Sequence, residues 1–216
     1  MAKLTWDDTG KRFYETGVDQ GVLYVRDSNG AYPLGVPWNG LVNVTESPEG
    51  AEPNAQYADN MKYVNIQSTE EFKATIEAFT YPEEFAECDG SAQPKPGAFI
   101  GQQERKAFGL VYRTKIGNDL TQEAGYKLHI VWGGVAAPSE KAYATINDSP
   151  EPTTFSWEIT TTPVNVTGYL PTSTMTLDSI ELGSVKMAAI EAKLFGDATN
   201  AAALLMPDAI LALITT

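Results

Sequence analysis

The chain has 216 residues, 43% hydrophobic and 20% charged, a composition typical of a folded globular protein. Its net charge of −13 argues against a surface that binds nucleic acid, because phosphate contacts require clustered Lys and Arg side chains. No apolar run reaches the length of a membrane span, and the first residues are too polar for a secretory signal. One cysteine cannot form an internal disulfide. We therefore expect a protein made in a reducing cytosol without a membrane anchor.

The charge is distributed unevenly along the chain. Residues 46–90 contain eleven Asp or Glu and two Lys, whereas residues 91–135 contain six Lys or Arg and three Asp or Glu. Two neighbouring blocks of opposite sign indicate ion pairing, either within one chain or between copies in an oligomer.

The first predicted elements form a hairpin. Two β-rich runs, near residues 21–26 and 31–35, flank the sequence Asp-Ser-Asn-Gly, in which Asn and Gly both tolerate the positive φ of a tight turn. A further strand is expected at Leu41–Thr45. Residues 46–60 then contain Pro, Gly and acids with little to bury, which predicts a long acidic loop, and loops of this length tend to be functional.

Alternation of apolar and polar residues predicts the central strands. Apolar side chains occupy every second position in four segments. They are Phe72, Ala74, Ile76 and Ala78; Phe108, Leu110 and Tyr112; Tyr126, Leu128, Ile130 and Trp132; and Phe155, Trp157 and Ile159. Strands with one apolar face bury it against a second layer, which predicts a mainly β sandwich or barrel-like fold.

Helix signals are few. Pro82–Glu87 suits a short helix with Pro at its first position, and a clear helix is expected from Ser184, as N-cap, to Gly196, as the residue after the C-cap. A second short helix is expected at 207–214, so that 184–214 forms a C-terminal helical segment flanking the β structure of one domain over residues 1–216.

Cys88 is the one candidate nucleophile with a thiol, and it lies in the segment YPEEFAECDGS. Catalysis would need a base nearby, yet the single histidine, His129, is predicted on a different strand, and the surrounding carboxylates disfavour the thiolate. We therefore expect Phe85 and Cys88 to face the core, the acids to face water, and Asp89 and Gly90 to form a turn.

The sequence gives little support for a metal site or for other kinds of catalytic site. One Cys and one His do not make a zinc set, and Glu83, Glu84, Glu87 and Asp89 lack the spacing of an EF-hand loop. Nucleotide-binding, serine-hydrolase and zinc-protease motifs are absent from the sequence. A carboxylate pair for glycoside hydrolysis remains open, because its separation in space decides it. We expect no cofactor, no metal and no enzymatic activity.

Four segments, taken in order, resemble the major tail tube protein of long, non-contractile-tailed bacteriophages. They are PWNGLVNVTESPEGAEPNAQYADNMKYVNI, EEFKATIEAFTYPEEFAECDGSA, GQQERKAFGLVYRT and GYKLHIVWGGVAAPSEKAYATINDSPEPTTFSWEITTTPV. The resemblance covers about residues 36–163, with a looser match in the C-terminal helix.

The resemblance implies a structural virion protein. In that family a β-sandwich or barrel-like domain with a flanking helix forms rings of six copies, and the rings stack into a hollow tail tube that conducts phage DNA during ejection. The partners implied are further copies of the chain, a tape-measure protein in the lumen, tail terminator and distal tail proteins at the ends, and DNA in transit without specific binding. The location implied is the virion tail, after synthesis in the bacterial cytoplasm.

Three sets of residues follow as expectations for the tube. Alternation places Thr75, Glu77, Glu158 and Thr160 on one polar face, with Phe155 and Trp157 facing the core. This face could line the lumen or form the outer wall of the tube. DNA in transit must not adhere to the lumen, so we expect the polar face to line it. The long loop is expected to reach the next ring through Glu46, Glu49, Glu52, Asn54 and Tyr57, and to meet a basic patch of Arg105, Lys106, Arg113 and Lys115.

A carbohydrate-binding or adhesive β-sandwich is the alternative. Such a module needs an exposed aromatic platform, for which Trp38 and Trp132 are the candidates.

Overall fold

The computed structural model describes residues 3–146, 148 and 151–215. Antiparallel strands dominate, which confirms the prediction of a mainly β protein. The strands are β1 (Tyr14–Val25), β2 (Gly35–Trp38), β3 (Leu41–Glu46), β4 (Glu49–Gly50), β5 (Pro53–Ala58), β6 (Met61–Gln67), β7 (Glu70–Glu71), β8 (Lys73–Ala78), β9 (Ala92–Lys95), β10 (Ala98–Ile100), β11 (Phe108–Gly117), β12 (Gly125–Ala136), β13 (Phe155–Thr161) and β14 (Thr174–Asp178). The helices are α1 (Ser179–Leu182), α2 (Ser184–Leu194), α3 (Pro207–Thr215) and a 3-10 helix at Glu83–Glu87.

One large sheet organises the molecule, in the order β2-β1-β11-β12-β13-β8-β3. Strand β12 changes partner along its length, since Lys127–Val131 pair with β14 and Gly134–Ala136 pair with β13. Gly133 lies at this change with φ +64, and a Cβ there would approach Thr162 O to 2.3 Å. A glycine is therefore needed where the strand leaves one partner for the next.

The sheet curls back on itself at a two-residue corner. Strands β2 and β3, which stand at opposite ends of the sheet order, are separated only by Asn39 and Gly40. Two hydrogen bonds tie the corner to the end of β8: Trp38 Nε1 donates to Thr80 O at 2.9 Å, and Phe79 N donates to Gly40 O at 2.9 Å. The result is the barrel-like arrangement that the sequence predicts.

Both faces of the sheet are buried at its centre. Along β1, Leu23 faces an inner core inside the curled sheet, whereas Val22 and Tyr24 face an outer core beneath the helices. A strand covered on both faces reads as a continuous apolar run, which is why GVLYV shows no alternation.

The inner core is aromatic. Phe85 lies 4.6 Å from Trp38, 5.1 Å from Trp157 and 5.5 Å from Phe108 between ring centroids. The predicted burial of Ala74, Ile76 and Ala78 on β8, of Phe72 just before it, and of Trp157 and Ile159 on β13 is confirmed. Phe155 is half-buried at the rim.

Helices α2 and α3 cover the outer core. Met187, Ile190 and Leu194 of α2 are buried, as their spacing predicts, and Tyr24 donates its hydroxyl to Leu194 O at 2.6 Å. The N-cap of α2 is Gly183 and Ser184 is the first helical residue, because the short helix α1, capped by the Asp178 side chain, immediately precedes it.

The prediction of a second hairpin strand at 31–35 is wrong in its bounds. The turn is present, with Asp27 Oδ1 accepting hydrogen bonds from Asn29 N and Ala31 N, but β2 begins only at Gly35. Pro33 interrupts the run because it has no N–H, and Tyr32 pairs with Leu204 beside α3 instead of with β1.

The prediction of a long loop without secondary structure at 46–60 is also wrong. Residues 49–71 form a two-stranded ribbon, in which β4 pairs with β7 and β5 pairs with β6. Asp59 and Asn60 form its tip with φ of 50° and 61°, the geometry of a tight hairpin turn that Asp and Asn tolerate. We call this ribbon, residues 49–71, the arm.

Candidate interaction surfaces

Cys88 is part of the fold and not a reactive group. The thiol is buried, and burial together with the Glu87 carboxylate raises the pKa of Cys88 to about 12. Phe85 beside it is buried as predicted, and Pro82 is the N-cap of the 3-10 helix rather than its first residue.

Asp89 does not face water, which corrects the expectation for the last acid of this segment. Its side chain is 7% exposed and lies 2.5 Å from Lys141 Nζ and 3.4 Å from Arg105 Nη1. Arg105 also donates to Ala136 O at 3.0 Å. Asp89 and Arg105 together therefore link the 3-10 helix to the end of β12.

Neither a metal cluster nor a membrane span emerges from the described residues. Among them, no group of three or more His, Cys, Asp or Glu side chains is arranged to hold a metal ion. None of their helices is both long and apolar enough to cross a bilayer.

The arm carries apolar side chains that its own subunit leaves exposed. Tyr57 and Tyr63 are each 73% exposed, and three neighbours on β6 are also exposed: Met61, Val64 and Ile66. An isolated two-stranded ribbon is only marginally stable in water, and an apolar surface of this kind marks an interaction site. Of these five residues only Tyr57 was predicted to make contacts, because the predicted loop ended at residue 60.

The arm begins and ends at one point on the sheet. Ser47 N donates to Lys73 O at 2.8 Å, and Lys73 Nζ lies 2.6 Å from Glu49 Oε2. At Gly50, φ is +86 and a Cβ would approach Thr69 O to 2.5 Å, so the bend out of the sheet requires glycine.

The five residues predicted for ring contact are spread from the root to the middle of the arm. Glu46 ends β3 beneath it, Glu49 pairs with Lys73, and Glu52, Asn54 and Tyr57 lie exposed further along. Their contact with another ring stays a prediction.

The four residues predicted for the lumen share one outward surface. Thr75 and Glu77 on β8 are half-buried, and Glu158 and Thr160 on β13 are exposed, with Glu158 directly opposite Thr75. Thr45 and Asn43 of β3 continue this surface on the other side of β8. We call the outward face of β3, β8 and β13 the polar wall.

Lys73 also belongs to the polar wall, although alternation in the sequence did not select it. It lies opposite Thr160, and the Glu49 hydrogen bond raises the pKa of its ammonium group, so it remains charged. The carboxylates of Glu49 and Glu158 offset that charge, and the wall keeps its acidic character.

Two of the sheet edges that lack a strand partner within the described residues belong to β3 and to the first part of β1. Strand β3 pairs with β8 alone, and Tyr14–Asp19 of β1 pair with β11 alone. A cleft of about 290 Å³ lies between these edges. Unpaired edges are the positions at which another strand can add.

The residues of the predicted basic patch lie in two places. Arg105 and Lys106 pair with Asp89 and Glu87 near the 3-10 helix, whereas Arg113 and Lys115 lie on β11. Phe108 to Arg113 alone spans about 17 Å of strand.

Arg113 belongs to an ion-pair network on the sheet face beneath α2. Its guanidinium donates to both oxygens of Asp19 at 2.7 and 2.8 Å, which lowers the pKa of that carboxyl. Lys115 lies 3.9 Å from the same carboxylate. All four basic residues therefore have a carboxylate partner in their own subunit, and their contact with an arm stays a prediction.

A polar cluster lies at the root of the arm, inside the mouth of the curled sheet. Tyr112 donates its hydroxyl to Glu46 Oε1 at 2.5 Å, and His129 Nδ1 lies 3.4 Å from the same oxygen. The His129 and Tyr112 rings stack at 4.8 Å, and Thr114 Oγ1 lies 3.0 Å from His129 Nε2. We call these four residues the Glu46 cluster. Hydrogen bonds from His129 and Tyr112 lower the pKa of Glu46 against the opposing effect of burial.

The two tryptophans considered for a carbohydrate platform are both buried. Trp38 packs in the inner core, and Trp132 packs in the outer core with its Nε1 donating to Leu205 O at 2.9 Å. The alternative function loses the platform on which it depended.

No protein-family model matches the chain, and no curated protein matches it significantly. A chain of the anti-feeding prophage baseplate is 8% identical, with a TM-score of 0.39, over 81% of this chain and 97% of that one. A chain of the sheath-tube complex of an extracellular contractile injection system, in its extended state, is 12% identical, with a TM-score of 0.34, over 80% of this chain and 93% of that one. Since both TM-scores are below 0.5, neither likeness bears on function.

Proposed function

We propose that the chain is the subunit of a phage tail tube, in which six copies form a ring and the rings stack into a hollow tube that conducts DNA. The observation that carries the proposal is the arm, whose exposed apolar side chains require a partner surface. The partner is another copy of the chain, because the arm and the strands at its root lie within the segments that resemble tail tube proteins.

The unpaired edges support ring formation. Edge-to-edge addition at β3 would extend the strands of the polar wall from one subunit to the next. If each of six subunits supplied four strands, roughly 24 strands about 4.8 Å apart would enclose a circle about 37 Å across. Such a ring leaves room for a DNA duplex.

The polar wall suits the lumen of such a tube. Glu77 and Glu158 repel phosphates, and Thr75 and Thr160 hold water without binding DNA. The residues of the predicted basic patch already have carboxylate partners within their own subunit, so they offer no free cation to the duplex. Passage of DNA in this arrangement depends on weak contact with the wall and involves no catalysis.

The remaining partners follow from the resemblance alone. They are a tape-measure protein in the lumen during assembly, and tail terminator and distal tail proteins at the ends of the tube. The finished location is the virion tail.

Negative-stain electron microscopy of the purified protein tests the proposal. We expect six-fold rings or hollow tubes from the natural sequence. Uniform monomers at every protein concentration would contradict the proposal.

An arm variant makes the test specific. Ala51 N lies 3.1 Å from Ser68 Oγ, so residues 52–67 can be replaced by two glycines without moving β4 or β7. We expect this variant to fold and form no tubes. As a matched pair on the natural arm, Tyr57→Asp with Tyr63→Asp should also abolish tubes, whereas Tyr57→Phe with Tyr63→Phe should retain them. Tubes from the Asp variant would exclude the arm as the assembly contact.

A further inference from the structure

The sole histidine of the chain lies at the root of the arm, in the Glu46 cluster. Glu46 is the last residue of β3, and the arm begins three residues later. Whatever holds the Glu46 side chain therefore restrains the point from which the arm projects.

Two different contacts hold Glu46. The uncharged phenol of Tyr112 donates a hydrogen bond that persists at any pH below the titration of a phenol. His129 Nδ1 lies 3.4 Å from the same carboxylate oxygen, and this contact becomes an ion pair only when the imidazole is protonated. Histidine is the side chain that changes charge between about pH 5 and pH 8.

His129 is held in place for this contact. Its side chain is 13% exposed, its ring lies parallel to Tyr112 within 2°, and Thr114 and Thr176 contact its two nitrogens at 3.0 and 3.5 Å. Because threonine hydroxyls both donate and accept, they accommodate the neutral and the protonated ring alike.

We propose that His129 and Glu46 form a proton-dependent contact that fixes the root of the arm at mildly acidic pH and loosens it as the pH rises. One consequence rests on the proposed function: ring stacking through the arm becomes sensitive to pH. The contact itself is a property of the single subunit.

The other charged groups around the cluster do not replace this contact. Lys127 lies two residues from His129 on β12, but it pairs with Glu15 of β1 and is near Asp178 of β14. From β11 the facing titratable group is Tyr112, and from β3 it is Glu46 itself. Burial and the Glu46 hydrogen bond raise the pKa of Tyr112, so the phenol stays neutral over the range concerned.

The direction of the effect follows from the charges. A protonated His129 forms an ion pair with Glu46, so the arm is restrained more strongly when the imidazole is charged than when it is neutral. Because the pKa of Glu46 is lowered, its carboxylate remains charged at mildly acidic pH. Only stronger acid, which protonates Glu46, removes the contact again.

Amide hydrogen exchange on unassembled subunits tests the proposal. The reporting amides are those of β4 and β7 and of Ser47, whose N–H is bonded to Lys73 O. After correction for intrinsic exchange rates, we expect protection roughly five-fold higher at about pH 5.5 than at about pH 7.5.

Three variants assign the effect. His129→Gln keeps a polar side chain without the charge, and its protection ratio between the two pH values should fall to about one. Glu46→Gln should do the same, which covers the case in which the first variant folds poorly. Tyr112→Phe keeps the ion pair and should keep the ratio. A wild-type ratio of one, or an unchanged ratio in both His129→Gln and Glu46→Gln, would overturn the proposal.

The outcome is separable from that of the proposed function. Exchange is measured before assembly, and tube formation is scored by microscopy. If the exchange of the arm depends on pH but the protein never forms tubes, the His129–Glu46 contact is supported and the tail tube proposal is contradicted. If the protein forms tubes but the exchange of the arm does not depend on pH, the tail tube proposal is supported and the contact is contradicted.

Discussion

The arm and the segment 81–91 come from the same acidic block of the sequence, yet one projects into solvent and the other is packed into the inner core. Tyr57 and Tyr63 of the arm are each 73% exposed, whereas Phe85 and Cys88 are both 0% exposed. Acidity is common to both segments and does not distinguish them.

The spacing of apolar residues and the presence of a covering layer make the difference. Phe85 and Cys88 lie three residues apart on one side of a helical turn, and that side meets Trp38, Phe108 and Trp157. In the arm, no second layer from the described part of the chain covers the ribbon, so the same kinds of side chain stay exposed. Apolar residues in one region stabilise the subunit, and those in the other are available to a second subunit.

The largest difference in stability is expected between Phe85→Ala and Tyr63→Ala. Phe85→Ala opens a cavity between three aromatic rings, and we expect a loss of about 3–5 kcal/mol in the free energy of unfolding. Tyr63→Ala removes an exposed ring, and we expect a change within about 0.5 kcal/mol. Urea unfolding of both variants measures the difference, and similar losses would show that the arm is part of the stability core.

A smaller difference is expected between Asp89→Asn and Glu52→Gln. Asp89→Asn leaves Lys141 and Arg105 without their carboxylate, and we expect a loss of about 2 kcal/mol, since both cations remain partly hydrated. Glu52 is exposed on the arm, so Glu52→Gln should change stability by less than about 0.5 kcal/mol. Thermal unfolding of the two variants at neutral pH provides the measurement. An Asp89→Asn protein as stable as the natural one would mean that water replaces the ion pairs.

The smallest effect is expected for Cys88→Ser. The change places a hydroxyl in an apolar site, and we expect a loss of about 1–2 kcal/mol without any change in tube formation. A thiol reagent added to the natural protein should react only on unfolding, because burial raises the pKa of Cys88 to about 12. As the matched control, Tyr63→Cys places a second thiol on the arm, and that thiol should react at once. Rapid labelling of Cys88 in the folded protein would contradict its assignment to the core.

Elements with strong periodicity were predictable from the sequence. Alternation over Phe72–Ala78 identified β8 and its buried face, and the stripe of Met187, Ile190 and Leu194 identified α2. In both cases one face meets a core, so local pattern and tertiary packing agree.

The arm was not predictable by the same reasoning. Pro48, Gly50 and Pro53 near its root are typical of loops, and an exposed ribbon has no buried face to impose alternation. The signals that identify it are the β-forming residues of MKYVNI and the Asp59-Asn60 turn. The Glu46 cluster was beyond reach for another reason, since three separate strands bring its members together.

The arm is an insertion between two strands that pair with each other. Glu46 lies opposite Ala74 in the ladder of β3 and β8, so the sheet would be complete if the chain passed directly from one strand to the other. Changes in arm length therefore leave the barrel register untouched, and arm and barrel can diverge separately during evolution. For protein engineering, the tip at Asp59 and Asn60 is a site where a foreign peptide can be inserted without disturbing the folding of the subunit.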